Sequence, residues 1–482
     1  MPRARRRPLA PSGPPVRLAL LASAVVLVIA VLLSSGGGSG APPGPPLPGI
    51  GRPARSGDPF AYSSASQAEF VARATAGSAS PLFVKSPGGA MATAARVASF
   101  RGLIDKAVAG TGIDPNLLEG LVFVESAGRP QIIAGSDPSA AAGLTQILAQ
   151  TGQGLLGMHV DLTRSTALTT AIGRADSLGR TSLLARLVAK RAQTDDRFDP
   201  TKALAATVRY LKLAEARFGR QDLAFVSYHM GIGNLMGVLR DYDGGRSVPY
   251  AQLYFDTALG HHASAYRLLS GFGDDSSLYY WRLLGAVQIM RLYRSDRSAL
   301  TRLNRLQIAT SSTAEVLHPP DRTQSFSDPD ALAAAYSSRA LRPLPANARS
   351  LGLAYFRGMG SLARQVGATA ALYRGLRPAA LDLLIELAAR VKTLSGGRSP
   401  LTVASTVSDR RYQQQLGVID PPAQTGYTFE IARRYVSGAQ AEAFQAVLDR
   451  LQALNLIAWA RGPATISITV ASDASQVIAD GL

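Results

Sequence analysis

One acidic residue lies at the end of a short predicted helix, on its apolar face. Residues 114–130 begin with Asp-Pro, in which the aspartate is a good N-cap and the proline suits the first helical position. The segment ends in Gly-Arg-Pro, which predicts the end of the helix. Four residues fall at i, i+3, i+4 and i+7 and therefore share one face: Leu118, Leu121, Val122 and Glu125.

Glu125 is a candidate general acid because of this position. Burial raises the pKa of a carboxyl group, and the dipole at the C-terminal end of a helix acts in the same direction. A carboxyl group that keeps its proton near neutral pH can donate that proton to a leaving group. The structural alternative is a glutamate at the edge of the core whose carboxylate reaches water or an arginine.

The elements that must position Glu125 are predicted to be helices, because helical signals dominate residues 91–309. A helix through Ala95–Ala109 precedes the Glu125 helix. A second Asp-Pro pair at Asp137 predicts a helix over 136–151 that would carry Gln146. A third pair, Asp199-Pro200, predicts a helix that Gly219 ends. Two further helices are predicted over 222–230 and 279–293.

Three motifs in this helical part occur in a recognisable order. They are Glu125-Ser126-Ala127-Gly128, then Gly143-Leu144-Thr145-Gln146-Ile147, then Tyr228-His229-Met230-Gly231-Ile232-Gly233. Their order resembles that of the lytic transglycosylases, which are lysozyme-like enzymes that cut the glycan strands of bacterial peptidoglycan. The sequence departs from the family pattern at Thr145, Ala149 and His229-Met230, and residues 147–198 resemble an insertion.

The resemblance implies a mainly α, lysozyme-like catalytic domain and a substrate-assisted reaction. Glu125 would protonate the glycosidic oxygen between N-acetylmuramic acid and N-acetylglucosamine. It would then take the proton of the muramoyl O6 as a 1,6-anhydro ring closes. No metal or cofactor is implied. A second carboxylate is missing from the motifs, although Asp137 is near enough in sequence to be considered.

The resemblance also implies substrate-binding roles for five residues: Ser126, Gln146, Tyr228, Gly231 and Gly233. Each has a structural alternative. Ser126 could cap the helix end, Gln146 could be a satisfied core amide, and Tyr228 could fill the core with its hydroxyl at the surface. The two glycines could belong to an ordinary turn that ends a helix.

Two other functions remain open at this point. A hydrolase of the same fold would cleave the same bond with water and leave reducing ends. A wall-binding scaffold would bind glycan or peptide without cleaving it, and such a protein would not need Glu125.

The composition restricts the function only broadly. The chain has 482 residues, enough for two folded units, and its formal net charge of +18 is compatible with nucleic acid, anionic lipid or an acidic wall polymer. Cysteine is absent, which excludes disulfides, a thiol nucleophile and a cysteine-ligated metal. An extracytoplasmic location argues against nucleic acid as the partner.

The N-terminal residues 1–33 predict a single-pass membrane anchor. Arginines at positions 3, 5, 6, 7 and 17 precede the apolar run 18–33, which places the N-terminus in the cytoplasm and the bulk of the chain outside. Secretion after cleavage of a signal peptide is the alternative, although no clear cleavage site follows. Residues 34–90, rich in Gly, Pro, Ala and Ser, are expected to form a linker from the membrane to the wall.

A second linker is expected over residues 310–330, followed by a smaller α+β domain over 331–482. Helices are predicted over 330–340, 348–366, 378–394 and 441–454, and strands over 401–407, 427–434 and 464–470.

Part of this second unit weakly resembles the zinc D-Ala-D-Ala carboxypeptidases, in the run from Val403 to Ile431. Ser408, Ala423 and Glu430 stand at positions where that family has Arg, His and Asp. One glutamate cannot hold a catalytic zinc ion, so the resemblance implies a metal-free module that binds peptide or acts as a spacer.

Overall fold

The computed structural model describes residues 58–273, 275–309, 312–397 and 399–482. The predicted membrane anchor, 1–33, and the first part of the predicted linker lie outside these residues. None of the helices in the described ranges is both long and apolar enough to cross a membrane.

A mainly helical region occupies residues 64–337. Its helices, α1 to α17 in chain order, are Gln67–Gly77, Ser80–Val84, Gly89–Ala98, Arg101–Val108, Pro115–Ser126, Ala149–Gly154, Leu162–Ser177, Thr181–Thr194, Pro200–Phe218, Gln221–Met230, Ile232–Asp243, Tyr250–Phe255, Ala263–Gly271, Tyr279–Ser295, Arg297–Gln307, Ser312–Leu317 and Pro329–Ser337.

An α+β region follows. Its strands, β1 to β7, are Arg342–Pro343, Leu353–Tyr355, Gly375–Leu376, Leu401–Ser405, Thr428–Ala432, Ile457–Arg461 and Thr465–Val470. Its helices, α18 to α21, are Pro378–Ser395, Arg410–Leu416, Gly438–Ala453 and Ala474–Asp480. Five strands form a mixed sheet in the order β2-β4-β5-β7-β6, in which only the β2–β4 pair is parallel. The coarse prediction of a helical unit followed by an α+β unit is therefore confirmed.

Helix α5 is the central element of the helical region. Asp114 caps it by accepting a hydrogen bond from the backbone N–H of Asn116, as predicted. The predicted apolar face, which includes Leu118 and Leu121, is fully buried. Helix α14 packs across α5, and at Gly120 the two helices approach so closely that a Cβ would lie 3.0 Å from the backbone oxygen of Leu283. This crossing brings the beginning of α14 to the end of α5.

The described end of the predicted linker, residues 58–90, is not a linker. Helices α1 to α3 form there because a few large side chains, Phe60, Phe70 and Phe83, are buried in the core. Gly77, at the end of α1, lies against the backbone oxygen of Gln452 in the α+β region. The composition of this segment predicts a tether, but its three phenylalanines are buried and anchor it to the folded protein.

The two regions share one hydrophobic core, so residues 331–482 are not packed as a separate body. Arg73 of α1 forms an ion pair of 2.9 Å with Asp473. The predicted linker 310–330 also contains α16, whose Val316 and Leu317 are buried. Both predicted linkers thus contain helices, and these helices pack at the junction between the two regions.

Within the α+β region, the helix predicted over 348–366 is wrong. Residues 353–355 form strand β2 instead, paired in parallel with β4 through Leu353 and Leu401. The predicted elements over 378–394, 401–407, 427–434, 441–454 and 464–470 are confirmed as α18, β4, β5, α20 and β7, with small shifts in their ends. Strand β6 was not predicted.

Candidate active site

Glu125 lies in the last turn of α5, where the helix meets the first turn of α14. The Tyr279 hydroxyl donates a hydrogen bond of 2.7 Å to Oε1 of Glu125. Part of Glu125 reaches solvent, whereas Tyr279 is almost completely buried. The carboxyl group therefore has one fixed polar partner and one accessible side.

The environment of Glu125 raises its pKa to about 7. Burial among protein atoms is the main cause, and the hydrogen bond from Tyr279 acts in the opposite direction because it stabilises the carboxylate. No charge from another carboxylate of the described residues contributes to this shift. Glu125 is therefore a single carboxyl group that is poised to exchange a proton near neutral pH.

Tyr228 is the second aromatic hydroxyl near Glu125, and the negative charge of Glu125 contributes to the raised pKa of this phenol, after burial. Its hydroxyl does not bond to Glu125. It donates to the backbone oxygen of Thr145 at 2.8 Å and lies 3.2 Å from the hydroxyl of Thr207. Tyr228 thus connects helix α10 to the loop that carries Thr145 and Gln146.

The loop over 131–147 is not the helix that Asp137-Pro138 predicted. Asp137 is exposed and caps a turn, accepting a hydrogen bond from the N–H of Ser139. The chain then forms a small bridged structure in which Ala142 pairs with both Ile133 and Ile147. Asp137 is therefore a turn residue, and its charge is not among the causes of the raised pKa of Glu125.

Gln146 is held in this loop in a left-handed backbone conformation, with φ of 53°. Its Nε2 donates to the backbone oxygens of Gly143, at 2.8 Å, and Ile132, at 3.3 Å. Its Oε1 is buried and has no partner among the described residues, and the same holds for the hydroxyl of Thr145. Such groups cost about 1–3 kcal/mol each, which marks this loop as incompletely satisfied.

Arg197 holds the loop in place from the far end of the segment that resembled an insertion. It is completely buried, and its guanidinium pairs with Asp195 at 2.7 Å. The same guanidinium donates to the backbone oxygens of three loop residues: Pro138 at 2.6 Å, Ala140 at 3.0 Å and Ile147 at 3.3 Å.

Two motif glycines are required by close packing. A Cβ at Gly143, where φ is 81°, would overlap the backbone oxygen of Arg197. A Cβ at Gly128, where φ is 71°, would lie 2.9 Å from the backbone nitrogen of Val97. Chain packing therefore explains why these two motif positions are glycine.

The remaining predicted site residues divide into two groups. Ser126 is buried, and its hydroxyl donates to the backbone oxygen of Val122, so it does not face the accessible side of Glu125. Gly231 ends helix α10 with φ of 88°, a conformation that favours glycine. Gly233 is exposed in the first turn of α11, and a Cβ there would have open space. Ser126 therefore makes a structural contact within its own helix. The backbone conformation at Gly231 explains why that residue is glycine, and no such explanation applies to Gly233.

Sequence reasoning missed Tyr279 and Arg197 as residues that act on this site. The sequence predicts Tyr279 at the start of a helix, but no local signal connects it with Glu125, 154 positions earlier. His229 stacks on Tyr279 with ring centroids 4.9 Å apart, and its Nδ1 lies 2.9 Å from the hydroxyl of Ser276. His229 therefore supports the ring that bonds to Glu125.

Neither the family models nor the curated proteins compared with this chain match it.

The residues that resembled a carboxypeptidase form a different arrangement. Gln413 is buried and makes four hydrogen bonds, donating to the hydroxyl of Ser408 and the backbone oxygen of Asp420 and accepting from Asp420 N–H and the Gln424 amide. Glu430 accepts hydrogen bonds from the hydroxyls of Ser405 and Thr465. These contacts are those of a closed polar network.

Proposed function

We propose that this protein is a peptidoglycan lytic transglycosylase in which Glu125 is the only catalytic carboxyl group. The observation that carries the proposal is the pKa of about 7 of Glu125, a partly accessible carboxyl group that one tyrosine hydroxyl orients. An acid that donates a proton and later recovers it works best when its pKa is near the pH of the reaction. The order of the three motifs supports the glycan strand as substrate and a lysozyme-like fold for the helical region.

The proposed reaction takes one proton from Glu125 and returns one proton to it. The Glu125 carboxyl group gives its proton to the glycosidic oxygen as the bond from C1 of N-acetylmuramic acid to that oxygen breaks. The muramoyl acetamido oxygen stabilises the cationic carbon. The O6 hydroxyl then bonds to C1, and its proton returns to Glu125, which leaves a 1,6-anhydro ring and an intact enzyme.

Among the described residues, no second carboxylate contributes to the raised pKa of Glu125, which favours this reaction over two-carboxylate hydrolysis. Asp137 is exposed in a turn and bonds to its own loop. Glu119, on the same helix, is fully buried and paired with Arg294 at 2.7 Å and Arg101 at 3.3 Å. Neither carboxylate is among the causes of the raised pKa of Glu125.

The test is the release of muropeptides from purified sacculi by the full chain, with the products identified by mass spectrometry. We expect products with 1,6-anhydromuramoyl ends, and we expect Glu125→Gln to lower the rate by about 10²–10⁴-fold, the usual contribution of a general acid. Glu442→Gln, at an exposed position in the α+β region, is the matched control and should leave the rate unchanged.

Three results would contradict the proposal. Equal release by Glu125→Gln would remove Glu125 from the reaction. Release of reducing ends alone would identify a hydrolase of the same bond. If the chain bound sacculi and released nothing, it would be a wall-binding scaffold.

A further inference from the structure

Three potential metal ligands meet in the loop between helices α12 and α13. Asp256, His261 and His262 each place one ligand atom within 4.8 Å of the other two. The sequence alone suggests surface histidines, because two adjacent positions do not share a face of a helix or a strand. The backbone of the loop changes that expectation.

The loop turns sharply so that both histidines come to the carboxylate of Asp256. Ala258 and His261 exchange two backbone hydrogen bonds of 2.7 and 3.1 Å, which closes a tight turn. His262 then adopts a left-handed conformation, with φ of 49° and ψ of 45°, which is strained for a residue other than glycine. As a result the two imidazole rings lie edge to face, with centroids 4.3 Å apart.

The distances from the two imidazoles to the Asp256 carboxylate leave room for an ion and are too long for direct hydrogen bonds to that carboxylate. Nδ1 of His261 lies 3.5 Å from Oδ1 of Asp256, and Nε2 of His262 lies 3.8 Å from Oδ2. Both exceed the range of about 2.7–3.2 Å for a nitrogen–oxygen hydrogen bond. Two ligands bound about 2.0–2.1 Å from a tetrahedral zinc ion are themselves about 3.3 Å apart, so only a small adjustment is needed.

A second layer of contacts orients these groups. The Tyr242 hydroxyl donates to Oδ2 of Asp256 at 2.6 Å and accepts from the Gln252 amide at 3.0 Å. The Tyr242 ring lies 4.4 Å from the ring of His262. The hydrogen bond from Tyr242 to the carboxylate is of a kind typical around metal ligands. Nδ1 of His261 lies 2.7 Å from the backbone oxygen of Asp256, so His261 binds the ion through Nε2 while Nδ1 donates to this oxygen, or through Nδ1 once that contact is broken.

We propose that Asp256, His261 and His262 form a binding site for Zn²⁺ or a similar transition-metal ion, with water completing the coordination. Two imidazoles and one carboxylate suit such an ion, whereas Mg²⁺ and Ca²⁺ prefer oxygen ligands alone. All three side chains are at least partly exposed, so an ion can reach them from solution.

The bound ion would fix the loop at the junction of the two regions. Thr257, Ala258 and Leu259 line a cavity of about 1450 Å³ whose other walls include residues of α18 and α20. Gly260 lies close to Leu394 of α18. The site lies outside the residues assigned to glycan cleavage, so the inference does not depend on the proposed function.

The test is isothermal titration calorimetry of Zn²⁺ into the full chain, freed of any affinity tag and of metal. We expect one ion per chain with micromolar affinity or tighter, and no comparable heat with Mg²⁺. His261→Ala, His262→Ala and Asp256→Asn should each weaken binding at least about tenfold. Tyr242→Phe, which removes a contact behind the ligand, should weaken it about tenfold or more.

The matched control is His159→Ala, because His159 is an exposed histidine outside the cluster. It should leave the affinity unchanged, and circular dichroism should show that every variant is folded. Unchanged affinity in His262→Ala, an equal loss in His159→Ala, or binding only at millimolar Zn²⁺ would each overturn the proposal. The Co²⁺-loaded chain should also show the visible absorption of a low-coordinate ion, and a spectrum like that of aqueous Co²⁺ would contradict the site.

Discussion

Two buried glutamines, one in each region, differ in how completely their hydrogen-bonding groups are satisfied within the chain. Gln413 of the α+β region uses all four of its hydrogen-bonding positions within the chain. Gln146 of the helical region donates to two backbone oxygens, but its Oε1 has no partner among the described residues. The first arrangement is complete without a ligand, and the second is not.

The same contrast holds for one acidic residue in each region. Glu430 accepts hydrogen bonds from two hydroxyls, whereas Glu125 has one tyrosine partner, a raised pKa and an accessible side. A polar group that costs free energy in the folded chain marks a place where a ligand could supply the missing contact. The comparison therefore favours the helical region as the site of chemistry, although both regions carry suggestive motifs.

The largest expected effect concerns the buried ion pair that holds the Gln146 loop. Arg197→Met should lower the free energy of unfolding by about 3–5 kcal/mol, because Asp195 would be left charged and buried. Lys202→Met, which removes an exposed cation from Asp196, is the control and should cost about 1 kcal/mol or less. Denaturant titration measures both, and equal losses would show that the loop does not depend on Arg197.

The comparison of the glutamines can be tested directly. Gln413→Ala should lower the free energy of unfolding by about 2–4 kcal/mol, because several buried partners lose their bonds, and should leave the cleavage rate per folded molecule unchanged. Gln146→Ala should have the opposite profile, with a cleavage rate lowered about tenfold or more and a stability loss of about 1 kcal/mol. A reversed pattern would show that the α+β region carries the chemistry.

The raised pKa of Glu125 predicts a variant that is more stable than the natural chain. The folded protein keeps a proton that the unfolded chain releases above its ordinary pKa of 4.5, so stability falls as pH rises from 4.5 to about 7. Glu125→Gln carries no charge, and at pH 8 it should be more stable by about 1–3 kcal/mol.

Unfolding at pH 4 and pH 8 measures this effect, and the difference should vanish at pH 4. Glu119→Gln is the contrast on the same helix, because it leaves Arg101 and Arg294 without their carboxylate and should destabilise the protein at pH 8. If Glu125→Gln were less stable at pH 8, Glu125 would be a structural carboxylate like Glu119.

The smallest expected effect sharpens the role of Tyr279. Its hydrogen bond stabilises the carboxylate of Glu125 and lowers the pKa, so Tyr279→Phe should raise that pKa further. The alkaline limb of the pH profile of kcat/KM should move upward by up to about one pH unit. Tyr280→Phe is the neighbouring control, and a limb that moved downward would reverse the assigned contact.

Local signals were enough where a helix is specified by its own ends. Asp114 and Asp199 cap α5 and α9, and Gly219 ends α9, as the sequence predicted. The same Asp-Pro signal failed at Asp137, because Arg197, about sixty residues later, takes the backbone oxygens of that loop. The contact between Tyr279 and Glu125 likewise follows from a helix crossing that no short window of sequence contains.

Composition failed for a related reason. Residues 58–90 are poor in large side chains, yet Phe60, Phe70 and Phe83 reach a core built by distant segments. Whether a weakly apolar segment folds depends on the apolar surface against which it can pack. Distant segments form that surface, so the sequence of the segment itself does not reveal it. The prediction of a helical region followed by an α+β region is correct all the same, because it depends on many elements and an error in one of them does not change it.

The described chain closes on itself where it begins. The backbone N–H of Leu482 donates to the oxygen of Pro59 at 3.0 Å, and Asp58 forms an ion pair with Arg390. Dividing this protein for expression would therefore cut through the hydrophobic core that the two regions share. A fragment ending near residue 330 would expose the apolar side chains of that core to water. Partial digestion should accordingly yield one large resistant piece in place of two.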